Sequence, residues 1–171
     1  MSKPGTQPIS WAADYIGIPF RDLGHTRAGL DCWGLLRLVY AERLGILLPA
    51  HDGQARSCRD PDSLKAVHDA ELAGDTWRPV QADAVEVGDV ALFHLAGRWH
   101  VGVVVARNQV LHAIEGTDSC IDRIDTPVWE KRARGFYRYN GPVQIITRTQ
   151  PMLGTHIRSE VSAGLTVLEL A

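Results

Sequence analysis

Three side chains in this sequence have the types and surroundings that suit nucleophilic catalysis. Cys32 stands in the run Leu30-Asp31-Cys32-Trp33-Gly34-Leu35-Leu36, which reads as the first turn of a helix. Backbone N–H groups left unpaired at a helix start carry about half a positive charge, which favours a thiolate over a thiol. A free thiol titrates near ~8.5, so this placement predicts a lowered pKa and a larger nucleophilic fraction at neutral pH. Gly34 lets backbone come close beside the sulfur. Buried cysteine in helices is also common and inert, so the segment alone leaves both readings open.

Two histidines farther along the chain answer to Cys32. His100 opens the run His100-Val101-Gly102-Val103-Val104-Val105, and His112 lies in Leu111-His112-Ala113. Neighbouring antiparallel strands hold facing side chains about 5 Å apart. One imidazole can therefore act as base toward Cys32 while the second fixes its tautomer through the other ring nitrogen. A single strand histidine is more often simply hydrogen-bonded. A helix-start cysteine joined by two histidines on adjacent strands is a much rarer coincidence. Cys32, His100, His112 and Cys120 also offer zinc-ligand types, but no paired ligand spacing supports a metal site, and neither metal nor cofactor is expected.

These residues need a helix and a sheet to hold them. Residues 32–44 form the clearest helix, with Leu35, Leu36, Val39 and Tyr40 on one face, Asp31 as N-cap and Gly45 as its stop. A short helix precedes it at Trp11, Ala12, Ala13, Tyr15 and Ile16, capped by Ser10 and stopped by Gly17 and Pro19. Residues 20–30 read as a loop, and Pro61 opens a further helix over 62–72. Beyond Trp77 a turn at 85–89 leads into strands at 90–95, 99–106 and 109–114, the last two joined as a hairpin through Asn108. Residues 120–124 read as a strand, 127–131 as a short helix and 134–139 as a last strand. Helices followed by an antiparallel meander give an α+β domain.

Composition narrows the function classes. The 171 residues are 45% hydrophobic and 22% charged, with 18 Lys+Arg against 20 Asp+Glu and a net charge of −2. Such a chain has no global pull toward nucleic acid or an anionic membrane, and the arginines are scattered. No run approaches the roughly 20 apolar residues needed to span a bilayer, and residues 1–10 have no apolar core of a signal peptide. Cys32, Cys58 and Cys120 are an odd number without a CxxC pair, which fits a chain made in a reducing compartment. Cys58 reads as a loop thiol and Cys120 as a strand thiol.

Asp31-Cys32-Trp33-Gly34-Leu35, Gly88-Asp89-Val90, His100-Val101-Gly102-Val103 and Leu111-His112-Ala113, in that order, resemble the NlpC/p60 cysteine peptidases, a papain-like cell-wall family. The likeness runs from about Trp11 to Tyr139. Trp33, with Leu44-Gly45-Ile46 and Pro49, is more similar to the tail-tip peptidases of long-tailed phages. The resemblance implies a nucleophile helix packed on an antiparallel sheet, with Cys32 as nucleophile, His100 as general base and acid, and His112 as the residue that orients His100. It also implies cleavage of peptidoglycan stem peptides, often at the D-γ-glutamyl–diaminopimelate bond, with the Cys32 backbone N–H as an oxyanion donor. Many members place a Tyr twelve residues before the cysteine, where this sequence has Phe20.

Other residues are expected around the cleft. Phe20 is a candidate wall, Trp33 and Trp99 frame the triad in sequence, and His25 precedes Cys32 in its loop. Asp31 reads as an N-cap more than as a catalytic acid, and Glu115 and Asp118 as turn residues that could meet a substrate amine. Residues 1–140 are expected to form the peptidase domain. Residues 141–171 read as a hairpin (143–147 and 157–161) leading into a helix at Val167, like the opening of a β-grasp module. Two functions fit: a phage tail-borne peptidoglycan endopeptidase with other tail-tip proteins as partners, delivered by the virion to the cell wall, or a tail-assembly protein that keeps the fold with little activity.

Overall fold

Asp31 begins the helix that matters. Its extended backbone (φ −98°, ψ −172°) turns the carboxylate over the first turn, where it accepts the Gly34 N–H at 2.7 Å. In this computed structural model, which describes residues 10–50, 60, 69 and 73–142, helix α1 spans Cys32–Val39. It runs on as a wider π turn over Tyr40–Leu44, and Gly45 in the left-handed region (φ 68°) ends it. The expected helix over 32–44 is thus present with its last turn unwound. Leu35, Leu36, Val39 and Tyr40 are each at most 1% exposed, which confirms the expected apolar face. Burying each Leu or Val of that face stabilises the fold by about 1.5–3 kcal/mol.

α1 packs on a six-stranded sheet: β3 (Trp77–Val80), β4 (Val90–Leu95), β5 (Arg98–Ala106), β6 (Gln109–His112), β7 (Cys120–Arg123) and β8 (Ala133–Tyr139). The spatial order is β3-β8-β4-β5-β6-β7, and every pairing is antiparallel. Val103, Val105 and Leu111 meet the α1 face, whereas Phe93, Val104 and Val110 form a smaller cluster on the other face with Trp129 and Phe136. Short helix α2 (Pro127–Glu130) carries Trp129. The architecture is the α+β arrangement expected, with the helix that starts at Cys32 packed on an antiparallel sheet.

Expected and observed elements differ where local signals are weak. The loop over 20–30 contains a two-stranded ribbon, β1 (His25–Thr26) paired with β2 (Gly29–Leu30). The first helix, Ser10–Tyr15, is 3-10. β3 has no counterpart among the expected strands, since Pro79 breaks its pattern; an edge strand tolerates proline, and β3 pairs only with β8. The expected helix over 62–72, apart from Asp69, lies outside the described residues, as do Cys58 and the C-terminal hairpin and helix from 143 onward. Among the described residues no helix is long and apolar enough to cross a membrane.

The Gly88-Asp89 turn ties the helix to the sheet. Gly88 adopts φ 96°, and its carbonyl accepts the Tyr40 hydroxyl at 2.6 Å. Asp89, 3% exposed, accepts the Arg138 guanidinium with both oxygens at 2.8 and 2.9 Å.

Candidate active site

The approach to Cys32 is built from backbone. Arg21 N–H donates to Leu30 O at 3.0 Å, Leu30 N–H to Pro19 O at 3.0 Å, and Asp31 N–H to Gly24 O at 3.1 Å. These bonds fold the β1–β2 ribbon over the start of α1. Gly34 sits directly beneath it, and a Cβ there would lie 2.0 Å from Gly24 O. The expected close approach at Gly34 is therefore made by the ribbon.

A pocket of about 260 Å³ opens beside the helix start, and Phe20, Cys32, Arg98, Trp99, His100 and Glu115 are among its walls. Cys32 keeps a window on this pocket although protein atoms crowd its sulfur on the other sides. Burial pushes the thiol up to about 12, with the Asp31 carboxylate adding to the shift, while the N–H groups of Val101, Trp33 and Cys32 favour the thiolate less strongly. That corrects the expectation of a lowered pKa: the charge at the helix start is outweighed by the loss of water around the sulfur.

His100 is 5% exposed and His112 1%. His100 Nε2 lies 3.1 Å from His112 Nδ1, and His112 Nε2 lies 3.2 Å from Asp122 Oδ2. Asp122 can only accept, so the His112 proton belongs on Nε2 and its Nδ1 accepts from His100 Nε2–H. That leaves a lone pair on His100 Nδ1. Burial, helped by the neighbouring His112, holds the His100 imidazole down to about 3, and burial also lowers His112 against the opposing pull of Asp122. Burial thus disfavours the charged form of each group, the thiolate and the imidazolium. Moving one proton from sulfur to ring creates two charges that attract each other, which offsets part of the cost that burial sets on each alone.

Gly102 lets these rings meet. A Cβ at Gly102 would lie 2.9 Å from Leu111 O and 3.1 Å from His112 Cβ, so its absence lets β6 bring His112 against β5. Trp129 closes the other side, its ring 5.1 Å from that of His112 and 4.8 Å from Phe93.

The structure thus brings Cys32, His100, Phe20 and Trp99 to one pocket, with His112 directly behind His100. Glu115 joins them, 3.4 Å from Arg98. The other expected cleft residues stand apart from that lining. Trp33 donates its indole N–H to Pro49 O at 3.0 Å, His25 is exposed on β1, Asp31 is buried as the N-cap, and Asp118 is exposed. Two neighbours of the histidines, Asp122 and Trp129, are absent from the set that sequence reasoning picks out. Asp122 follows Cys120 by two on β7, and only the β6–β7 register reveals that this face meets His112; nothing in the sequence marks Trp129.

Known proteins resemble this chain in sequence and in fold. A family model described as the NlpC/P60 family matches residues 17–138. The chain is 27% identical over 139 residues to the murein DD-endopeptidase MepS/murein LD-carboxypeptidase of Escherichia coli K12, covering 80% of this chain and 61% of that protein. It is 25% identical over 136 residues to the gamma-DL-glutamyl hydrolase of Bacillus subtilis, covering 77% of this chain and 29% of that one. The chain therefore spans about three fifths or less of the length of these relatives. In fold it is similar to the crystal structure of an NlpC/P60 family protein from Bacillus cereus, with a TM-score of 0.54, 20% identity, and coverage of 77% of this chain and 38% of that one.

Proposed function

The chain belongs to the NlpC/P60 family, and from that premise we propose that it is a cysteine peptidase that hydrolyses stem peptides of peptidoglycan. The observation that carries the reading is Cys32 and His100 on one pocket, with His112 and Asp122 behind His100. Cys32 gives its proton to His100 Nδ1 and its sulfur attacks the scissile carbonyl, while the Cys32 backbone N–H meets the oxyanion. His100 passes the proton to the leaving amine as the C–N bond breaks, leaving a thioester. His100 then takes a proton from water, which attacks the thioester and restores the thiol. His112 holds His100 in the required tautomer, and Asp122 positions His112.

The bond we propose is D-γ-glutamyl–diaminopimelate. Arg98 and Glu115 at the pocket offer opposite charges to a substrate that carries both carboxylate and amine groups, and a relative is named a gamma-DL-glutamyl hydrolase. The proposed setting is a phage tail tip acting on the bacterial wall, supported by Trp33 and the run Leu44-Gly45-Ile46 with Pro49.

Digestion of purified peptidoglycan under reducing conditions, with muropeptides read by mass spectrometry, tests the reading. Wild type releases a new free amino group at diaminopimelate, and Cys32→Ala does not. A wild-type protein that releases none is a tail-assembly protein that keeps the fold, the reading favoured by Phe20 at the pocket where many members place Tyr.

A further inference from the structure

We propose that His112 Nε2, Cys120 Sγ and the Asp122 carboxylate form a binding site for a zinc-class divalent cation, and that the bound ion switches the nucleophile's base off. Register creates the cluster. His112 on β6 pairs directly with Cys120 on β7, and Asp122 lies two residues on, so all three side chains share one face. Their ligand atoms lie within 4.8 Å of one another.

The spacing fits a metal. Zinc bonds of about 2.3 Å to sulfur and about 2.0 Å to nitrogen and oxygen, at tetrahedral angles, set N···S near ~3.5 Å and N···O near ~3.3 Å. The observed separations are 3.7 Å for His112 Nε2 to Cys120 Sγ and 3.2 Å for His112 Nε2 to Asp122 Oδ2. Only the sulfur–carboxylate edge needs to adjust, and the Asp122 side chain is 46% exposed and free to swing. Imidazole, thiolate and carboxylate together suit zinc rather than magnesium or calcium. β7 is the last strand of the sheet, so an ion arrives from solvent and its fourth corner is left to water. The other nitrogen of His112 is already fixed against His100, as the outer partner of a metal-bound histidine usually is.

The consequence for His100 follows from proton counting. A cation on His112 Nε2 needs that lone pair, so the Nε2 proton must leave and the ring carries its proton on Nδ1. Cys120 releases its thiol proton to solvent in the same event. Nδ1–H of His112 then donates to His100 Nε2, and the single proton of neutral His100 is forced onto Nδ1, the nitrogen proposed to take the Cys32 proton. In that tautomer His100 cannot accept the Cys32 proton. This switch rests on the proposed catalytic role of His100; the ion site does not.

Chelator-treated Cys32→Ser protein, titrated with Zn2+ by calorimetry, tests the site without any need for turnover. One ion binds per chain, and adding Cys120→Ala weakens it by roughly tenfold or more. Zinc affinity unchanged by Cys120→Ala, or no binding at millimolar zinc, overturns the site. With otherwise wild-type protein, zinc stops peptidoglycan hydrolysis, and Cys120→Ala keeps basal activity but resists zinc. Binding at the site without inhibition of an active enzyme overturns the switch. A protein that binds zinc here but never hydrolyses peptidoglycan refutes the peptidase reading and, with it, the switch, while leaving the site standing.

Discussion

His100 Nε2 and His112 Nδ1 stand 3.1 Å apart with their rings at 88°, joining β5 to β6 by one side-chain hydrogen bond. The direction of that bond is set one residue farther out, where His112 meets Asp122. On the proposed mechanism His112→Ala removes the partner that holds His100 in its base form and is expected to lower kcat by about 100-fold with little change in KM. Asp122→Asn, at a half-exposed position, is expected to lower kcat by about tenfold. Steady-state kinetics on a stem-peptide substrate checks both, and an unchanged kcat for His112→Ala would remove it from the mechanism.

Alkylation reads the protonation of Cys32 directly. With burial pushing the thiol up to about 12, the thiolate fraction at pH 7 is small and grows tenfold with each unit of pH. The iodoacetamide rate at Cys32, followed by peptide mass spectrometry, should climb through pH 7 to 9 without levelling and stay below that of the unfolded chain. A plateau between pH 5 and 8 would reveal a thiolate–imidazolium pair already formed at rest.

Gly34→Ala sets two effects against each other. Alanine raises helix propensity by about 1 kcal/mol, yet its Cβ would lie 2.0 Å from the Gly24 carbonyl oxygen. The contacting atom is backbone, so the β1–β2 ribbon must move. A net destabilisation of about 1–3 kcal/mol is expected, with kcat falling as Phe20 shifts. Thermal denaturation with parallel activity measurements decides it; a higher Tm would mean the ribbon yields freely.

The Asp89–Arg138 pair should respond unequally to its two halves. Arg138→Met strands a carboxylate that is 3% exposed and is expected to cost about 3–5 kcal/mol. Asp89→Asn leaves a guanidinium that is 29% exposed and already faces Glu86, and should cost about 1–2 kcal/mol. Urea denaturation of both variants would show equal losses if the pair acted only through charge attraction.

The parts of this molecule legible in the sequence are those whose signal is local. Asp31, Cys32 and Gly45 announce a helix with its start and stop, and the β-branched run after His100 announces a strand, so the chain itself points to the proposed nucleophile and its proposed base. The π turn over Tyr40–Leu44 is not legible, because it satisfies the same apolar pattern as an α turn. β3 is hidden by Pro79, which only an edge position excuses. Asp122 and Trp129 depend on register and on helix-to-sheet packing, neither of which any spacing encodes. The pKa of Cys32 escapes the sequence for a related reason: a helix start is written there, but the crowding around the sulfur is a property of the folded whole.

β8 is the last strand along the described chain yet lies inside the sheet, between β3 and β4. A ribosome that has made Cys32, His100, His112 and Asp122 has still not supplied the strand that flanks β4, nor Arg138 to neutralise Asp89. Each nascent chain thus carries Cys32, His100, His112 and Asp122 before the last of its described strands exists. The order of synthesis places the strand that joins β3 to β4 after every side chain of the candidate site.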